Sequence, residues 1–92
     1  MSTRRMLRYT VPVDGIPCRV ELTGDPLALG ALACGAGIEF WAEHADAAEC
    51  RVRTFTIVGT GHQIPDGATY VGTAPRTPEG LVWHLFELAG PS

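Results

Sequence analysis

The chain has 92 residues, of which 46% are hydrophobic and 18% charged, with a formal net charge of −3 and a pI of about 5.4. This length allows one domain, and this composition is typical of a globular chain rather than a disordered one. The acidic balance argues against a nucleic-acid-binding protein, which normally carries a basic face. We therefore expect one small domain over residues 1–92, with residues 1–5 and 90–92 loose.

Hydrophobic patterning and chain length also bear on membrane targeting and on self-association. The sequence has no run of roughly 18 apolar residues that would span a membrane, and no apolar signal core follows its N-terminal arginines. We therefore expect no membrane contact and a cytoplasmic location. A domain of this size buries only roughly 60–65% of its unfolded surface, which makes a monomer marginally stable. Self-association is a common remedy, and we predict a homo-oligomer.

The first predicted element is a hairpin. Residues 7–13 and 16–22 alternate apolar and polar side chains on either side of the pair Asp14-Gly15, which favours a tight turn. Pro12 and Pro17 flank this turn, and proline has no N–H to donate to a sheet. We therefore expect an open sheet edge at this end of the hairpin.

The next segment, residues 27–36, is ambiguous between helix and strand. Its Leu and Ala content favours a helix, whereas Gly30 and Gly35 weaken one. We favour a strand, paired through a turn at Gly35–Gly37 with residues 38–44, where apolar and polar side chains alternate.

The C-terminal half reads as three further strands. Residues 51–61, 69–75 and 81–88 are rich in β-branched and aromatic side chains, and glycine or proline separates them. Turn signals recur about every ten residues along the whole chain, as in antiparallel all-β domains. The predicted fold is therefore all-β: a small antiparallel sandwich or barrel of about seven short strands.

The segment GTGHQIPDGATYVGTA, Gly59–Ala74, joins two of these strands and is the first candidate site. It lacks the third glycine of a dinucleotide-binding fingerprint and the lysine of a phosphate-binding loop. Turn chemistry accounts for the glycines and for Pro65–Gly67, where we place the proline at the second turn position. The backbone of Gly59 and Gly61 also offers N–H groups to a small anion, and His62 is the residue that turn chemistry leaves unexplained.

A second group of candidates lies on the strand over residues 38–44. Glu39, Trp41 and Glu43 share one face of it, which favours an ordinary solvated face. The alternative is a ligand groove in which the indole stacks on a ring while the glutamates accept hydrogen bonds. We include all three residues with the Gly59–His62 loop in one predicted ligand site.

The spacing of the histidines and cysteines does not indicate a metal site, and we expect no cofactor. His44, His62 and His84 do not have the spacing that brings ligands together on one strand or helix, and His84 is interpreted as a hydrogen-bonded structural residue. Three widely spaced cysteines without a CxxC pair indicate buried free thiols rather than a disulfide or zinc site: Cys18, Cys34 and Cys50.

The last predicted strand has apolar side chains on both faces. Trp83 and Leu85 share one face, whereas His84 and Phe86 share the other. Burial from both sides in a domain this small indicates a second subunit. We therefore predict an oligomer interface that includes Trp83, Leu85 and Phe86.

Two C-terminal segments also carry a resemblance. RTFTIVGTGHQIPDGATYVGTAP and GLVWHLFEL resemble a family of small uncharacterised proteins from bacteria, notably actinobacteria, and their phages, and RYTVPVD, Arg8–Asp14, resembles the opening hairpin of that family. The similarity runs over nearly the whole chain and is loose between Leu27 and Gly37. It implies a compact β domain of phage or prophage origin, and it supplies no catalytic residues.

Three functional hypotheses follow. The first is that the protein is a non-enzymatic, homo-oligomeric β domain that binds a partner protein or a small anionic ligand and acts as a phage accessory protein. The second is a structural or assembly component of a phage particle, docked through the open edge near Pro12 and Pro17. The third is a small enzyme or metal site that uses His62 with Asp66.

Overall fold

The computed structural model describes residues 3–89 and shows two antiparallel sheets packed face to face. A three-stranded sheet has the order β1-β4-β3, and a four-stranded sheet has the order β2-β5-β7-β6. The strands are β1 (Arg4–Pro12), β2 (Cys18–Leu22), β3 (Pro26–Ala31), β4 (Gly37–Ala45), β5 (Arg51–Gly59), β6 (Thr69–Thr73) and β7 (Trp83–Leu88). The predicted all-β sandwich of about seven short strands is confirmed.

The core lies between the two sheets and follows the two-residue period of the strands. The Phe40 and Phe55 rings meet across it, with centroids 5.5 Å apart. Each sheet contributes one apolar face, and the fully or almost fully buried side chains include Val11, Leu22, Ile38, Phe40, Ala42, Phe55 and Leu85. The opposite faces of both sheets are the outer faces, which carry polar side chains together with a few apolar ones, including Trp41, Val58 and Phe86.

The predicted first hairpin is wrong, because its two strands belong to different sheets. β1 pairs with β4, and β2 pairs with β5. Val13 N–H donates to the Ala36 carbonyl at 2.9 Å, and the Asp14 carboxylate accepts the Ile16 N–H at 3.0 Å, so the chain leaves one sheet for the other at this point. Alternation in a sequence indicates which face of a strand is buried but not which strand lies beside it. Both strands do lie at sheet edges, as the flanking prolines predicted.

The ambiguous segment is a strand, β3, over Pro26–Ala31, and it pairs with β4 as predicted. A 3₁₀ turn, Ala33–Gly35, joins the two strands. Cys34 and Gly35 have φ values of 58° and 68°, the combination found at the two central positions of a type I′ hairpin turn.

Cysteines and the N-terminus depart from expectation. The three cysteines are free, but Cys34 and Cys50 are exposed rather than buried, because both lie in connections between strands. Arg4 and Arg5, expected to be loose, belong to β1 and form ion pairs with Glu43 and Asp46 at 3.0 and 2.9 Å. Residues 1–2 and 90–92 lie outside the described part of the chain. Within that part, no helix has the length and apolar character needed to cross a membrane.

Candidate ligand-binding site

The turn after β5 explains both glycines of the GTGH sequence. His62 N–H donates to the Gly59 carbonyl at 3.0 Å, and Gly61 at the third position has φ 87°, as in a type II turn. A β-carbon at Gly59 would lie 2.8 Å from His62 Nδ1 and 3.3 Å from Trp83 Cζ3. The His62 ring therefore lies directly on the Gly59 backbone, and a side chain at position 59 would displace the ring.

A second turn directs the chain back toward the sheet. Ala68 N–H donates to the Pro65 carbonyl at 3.2 Å, and Gly67 at the third position has φ 75°. Pro65 therefore occupies the first position of the turn. The predicted second position is wrong, because the turn is centred one residue later in the chain.

Under this loop, the outer face of the four-stranded sheet forms a cavity of about 230 Å³, which we call the sheet cavity. Val58 and Phe86 lie on its floor, and Phe86 packs edge-on against the Tyr70 ring with centroids 5.6 Å apart. Ile64 from the loop and Tyr70 from β6 form its walls, with exposures of 49% and 57%. An open concavity with apolar walls is a typical site for a small ligand.

A chain of hydrogen bonds runs along the sheet cavity. Thr60 Oγ1 lies 2.8 Å from His84 Nε2, and His84 Nδ1 lies 2.9 Å from Thr73 Oγ1. Thr73 Oγ1 in turn lies 2.6 Å from the Tyr70 hydroxyl. The prediction of a hydrogen-bonded His84 is therefore confirmed. Both ring nitrogens are bonded to neutral hydroxyl groups, and the ends of the chain, Thr60 and Tyr70, line the cavity.

A neighbouring cavity of about 340 Å³, which we call the loop cavity, lies between the Gly59–His62 turn and residues 76–83. His62 lines both cavities. Arg76 brings a positive charge to the loop cavity and donates to the Gly80 carbonyl at 3.2 Å. Among residues 3–89, no carboxylate lies within 4 Å of Arg76, so its charge is available to an anion.

The predicted second half of the site lies elsewhere. Glu39, Trp41 and Glu43 are on the outer face of β4 in the three-stranded sheet, whereas the Gly59–His62 turn follows a strand of the four-stranded sheet. Glu39 and Glu43 form ion pairs with the β1 arginines Arg8 and Arg4, at 3.4 and 3.0 Å. The structure therefore does not bring these three residues together with the loop, and their carboxylates already have partners.

The predicted interface residues are also divided. Leu85 is fully buried in the core, and Trp83 packs against that core. Phe86 faces outward but is covered by Tyr70 and the loop of the same chain, leaving it 8% exposed. Apolar side chains on both faces of β7 are therefore buried largely by this chain itself.

A further cavity of about 370 Å³ is a polar groove at the other end of β5. Arg53 dominates it, with bonds of 2.7–2.8 Å to both carboxylate oxygens of Glu87 and of 2.7 Å to Asp25. These hydrogen bonds raise the pKa of Arg53 above its ordinary value, although burial acts in the opposite direction. The Arg53 charge is thus compensated by two carboxylates, which makes this ion-pair network a stabilising feature of the groove.

Metal and enzyme chemistry were the remaining sequence hypotheses. Within residues 3–89, the structure brings together no group of three histidine, cysteine or acidic side chains. It also shows no hydrogen bond or ion pair between His62 and Asp66 in this part of the chain. Sequence reasoning missed Thr60, Tyr70, Thr73 and Arg76, which become neighbours of the histidines only through strand pairing.

Fold and site together define a small two-sheet β-sandwich with paired cavities at the end of β5. The chain belongs to the family described as a domain of unknown function (DUF7352), which matches residues 2–92. No curated protein and no solved structure matches the chain.

Proposed function

We propose that the protein is a non-enzymatic, homo-oligomeric β domain that binds a ligand or partner at the sheet and loop cavities. The observation that carries this proposal is the meeting of the two cavities at His62, one with apolar walls and the other lined by Arg76, which has no carboxylate partner within residues 3–89. Together they offer apolar surface, hydrogen-bonding hydroxyls and one cation within a few residues of a tight turn, the usual makeup of a ligand site.

The environment of the histidines favours binding over catalysis. A histidine that activates a nucleophile is normally oriented by a carboxylate on its second nitrogen. His84 instead lies between the hydroxyls of Thr60 and Thr73, and the His62 ring is held against Gly59. Such an arrangement positions hydrogen-bond partners for a ligand.

Amide chemical shifts test the location of the site. We expect phenol, benzoate or inorganic phosphate to shift the signals of Thr60, Gly61 and His62 in the native protein, and to shift them less in His62→Ala. Trp41→Phe is the matched control, because Trp41 lies in the other sheet, and it should respond as the native protein does. If none of the three probes moves the signals of residues 59–62, the site is wrongly assigned.

Self-association is supported by the open edge of β1. At the two ends of the β1–β4 ladder, Val13 N–H donates to the Ala36 carbonyl and Asp46 N–H donates to the Thr3 carbonyl. Because hydrogen bonding alternates along an antiparallel pair, the backbone groups of Met6 and its even-numbered neighbours face the open edge. The arginines on this edge are paired with Glu43 and Glu39, which reduces the repulsion between two copies that pair through β1.

Light scattering tests this interface. The native protein should have a molar mass of at least twice the 9.8 kDa of one chain, and Met6→Pro should return it to one. Proline is tolerated at this position because the Met6 N–H makes no bond within the sheet. A native protein with the mass of one chain would contradict the proposal.

We also propose a phage or prophage origin and action in the host cytoplasm. The support is the resemblance of the GTGHQIP and LVWHLFE segments to phage and actinobacterial proteins. Fractionation of cells that express the protein, followed by native mass spectrometry of the recovered material, tests the location and reports bound molecules. Recovery in the membrane or periplasmic fraction would contradict a cytoplasmic role.

A further inference from the structure

The sheet cavity has a size and lining that limit what it holds. Its volume of about 230 Å³ is below the roughly 300 Å³ at which drug-sized sites begin, whereas a cavity of about 150 Å³ encloses benzene. Its floor and walls are apolar: Val58, Ile64, Phe86 and the Tyr70 ring. The space therefore suits one substituted ring and little more.

The lining of the same cavity favours an uncharged occupant. None of the residues that line it is an arginine, lysine, aspartate or glutamate. Arg76 lines only the neighbouring loop cavity. A carboxylate placed against Phe86 and Ile64 would lose its hydration without gaining a cation, which is strongly unfavourable.

The hydrogen-bond chain along the cavity ends in two hydroxyl groups that can bond to a ligand. A hydroxyl has one hydrogen and two lone pairs, so the Thr60 hydroxyl, bonded to His84 Nε2, and the Tyr70 hydroxyl, bonded to Thr73 Oγ1, each keep a further hydrogen-bonding position. Both hydroxyls line the cavity. A ligand hydroxyl, which both donates and accepts, matches either end, whereas a hydrocarbon matches neither.

We propose that the sheet cavity binds a single neutral phenolic ring, whose face packs on Phe86 and Ile64 and whose hydroxyl bonds to Tyr70 or Thr60. This inference rests on the proposed binding function and names the ligand chemistry. The same chemistry occurs in a free phenol and in a tyrosine side chain of a partner protein. A single ring binds weakly, with a millimolar dissociation constant.

The test compares three probes of the same ring size by chemical-shift titration of the full chain: phenol, toluene and benzoate. Phenol should bind about fivefold to tenfold more tightly than toluene, because only phenol continues the hydrogen-bond chain. Tyr70→Phe and Thr60→Val each remove one of the two cavity hydroxyls, so at least one of them should weaken phenol about fivefold and leave toluene unchanged. Ile64→Ala should weaken both, and Trp41→Phe in the other sheet should weaken neither.

The outcomes separate the inference from the function on which it rests. Phenol binding no tighter than toluene, or phenol binding unchanged in both Tyr70→Phe and Thr60→Val, overturns the phenolic assignment. A different result separates the two proposals: the native protein binds benzoate but not phenol, and Arg76→Gln no longer binds benzoate. This result supports the proposed binding function and overturns the phenolic ligand. No response of residues 59–62 to any probe overturns both.

Two further probes distinguish the sources of the ring. p-Cresol represents a free small molecule, and N-acetyltyrosinamide carries the same ring on a peptide backbone. Equal affinities indicate that a partner's tyrosine side chain fits, whereas binding of p-cresol alone indicates a free phenol. If neither compound binds while toluene does, the proposal fails.

Discussion

The imidazole of His62 rests on the backbone of Gly59, close enough that a β-carbon there would lie 2.8 Å from Nδ1. The same position is 3.3 Å from Trp83 Cζ3, so the glycine is enclosed by two rings. This contact fixes the histidine at the boundary between the sheet and loop cavities and determines the shape of both.

Gly59→Ala should therefore displace the His62 ring and disturb both cavities. We expect a loss of about 1 kcal/mol in the free energy of unfolding, because the exposed histidine can move away. The contact is tested by a double-mutant cycle in urea: in a His62→Ala background, Gly59→Ala should cost measurably less. An equal cost in both backgrounds would show that His62 is not the residue in contact.

The turn between β3 and β4 contains an unfavourable residue that can be improved. Cys34 has φ 58°, in the left-handed region that asparagine tolerates better than cysteine. Cys34→Asn should raise the free energy of unfolding by about 0.5–1 kcal/mol. Cys50→Asn is the control, because Cys50 is also exposed but has no positive φ, and it should bring no gain.

The Arg53–Glu87 ion pair should contribute more to stability than its exposed counterparts. The two side chains are 22% and 25% exposed, and Glu87→Gln leaves a half-buried guanidinium with less compensation. We expect a loss of about 1–3 kcal/mol. Asp46→Asn removes the exposed pair with Arg5 and should cost less than about 1 kcal/mol. Equal losses in the two variants would contradict this ranking.

Alkaline pH should destabilise the protein in part through Cys18. Burial, with a smaller effect of Asp14, raises the pKa of the Cys18 thiol above its ordinary value of 9.0. The unfolded chain then loses this proton at lower pH than the folded chain. The contribution of the protonated thiol to the free energy of unfolding is therefore complete below pH 9.0 and is lost as the pH rises through the folded-state pKa. Burial also raises the pKa of Tyr9 above 10.0, which acts in the same direction.

Unfolding in urea across this pH range measures the effect. Cys18→Ala should flatten the decrease above pH 9.0. A Cys18→Ala curve with the slope of the native protein would show that the thiol is not linked to folding.

Local features of the fold could be predicted from the sequence, and non-local ones could not. Alternating side chains and turn residues located the strands, including β3 against the helix-favouring Leu and Ala content. The pairing of β1 with β4 was missed, because the Asp14-Gly15 turn looks the same whether the chain forms a hairpin or crosses between sheets.

The candidate site shows the same division. The glycines and His62 could be assigned to one candidate site because they lie together in one loop. Tyr70 and Thr73 could not, since β6 and β7 bring them to His84 across a sheet. Trp41 and its glutamates were assigned to the same site because nothing in their sequence reveals which of the two sheets contains β4.

A crystal structure of the protein grown with phenol tests the central claim most directly. We expect the phenol ring against Phe86, beneath Ile64, with its hydroxyl within hydrogen-bond distance of Tyr70 or Thr60. Phenol bound only elsewhere on the surface, with the sheet cavity filled by ordered water, would contradict the account.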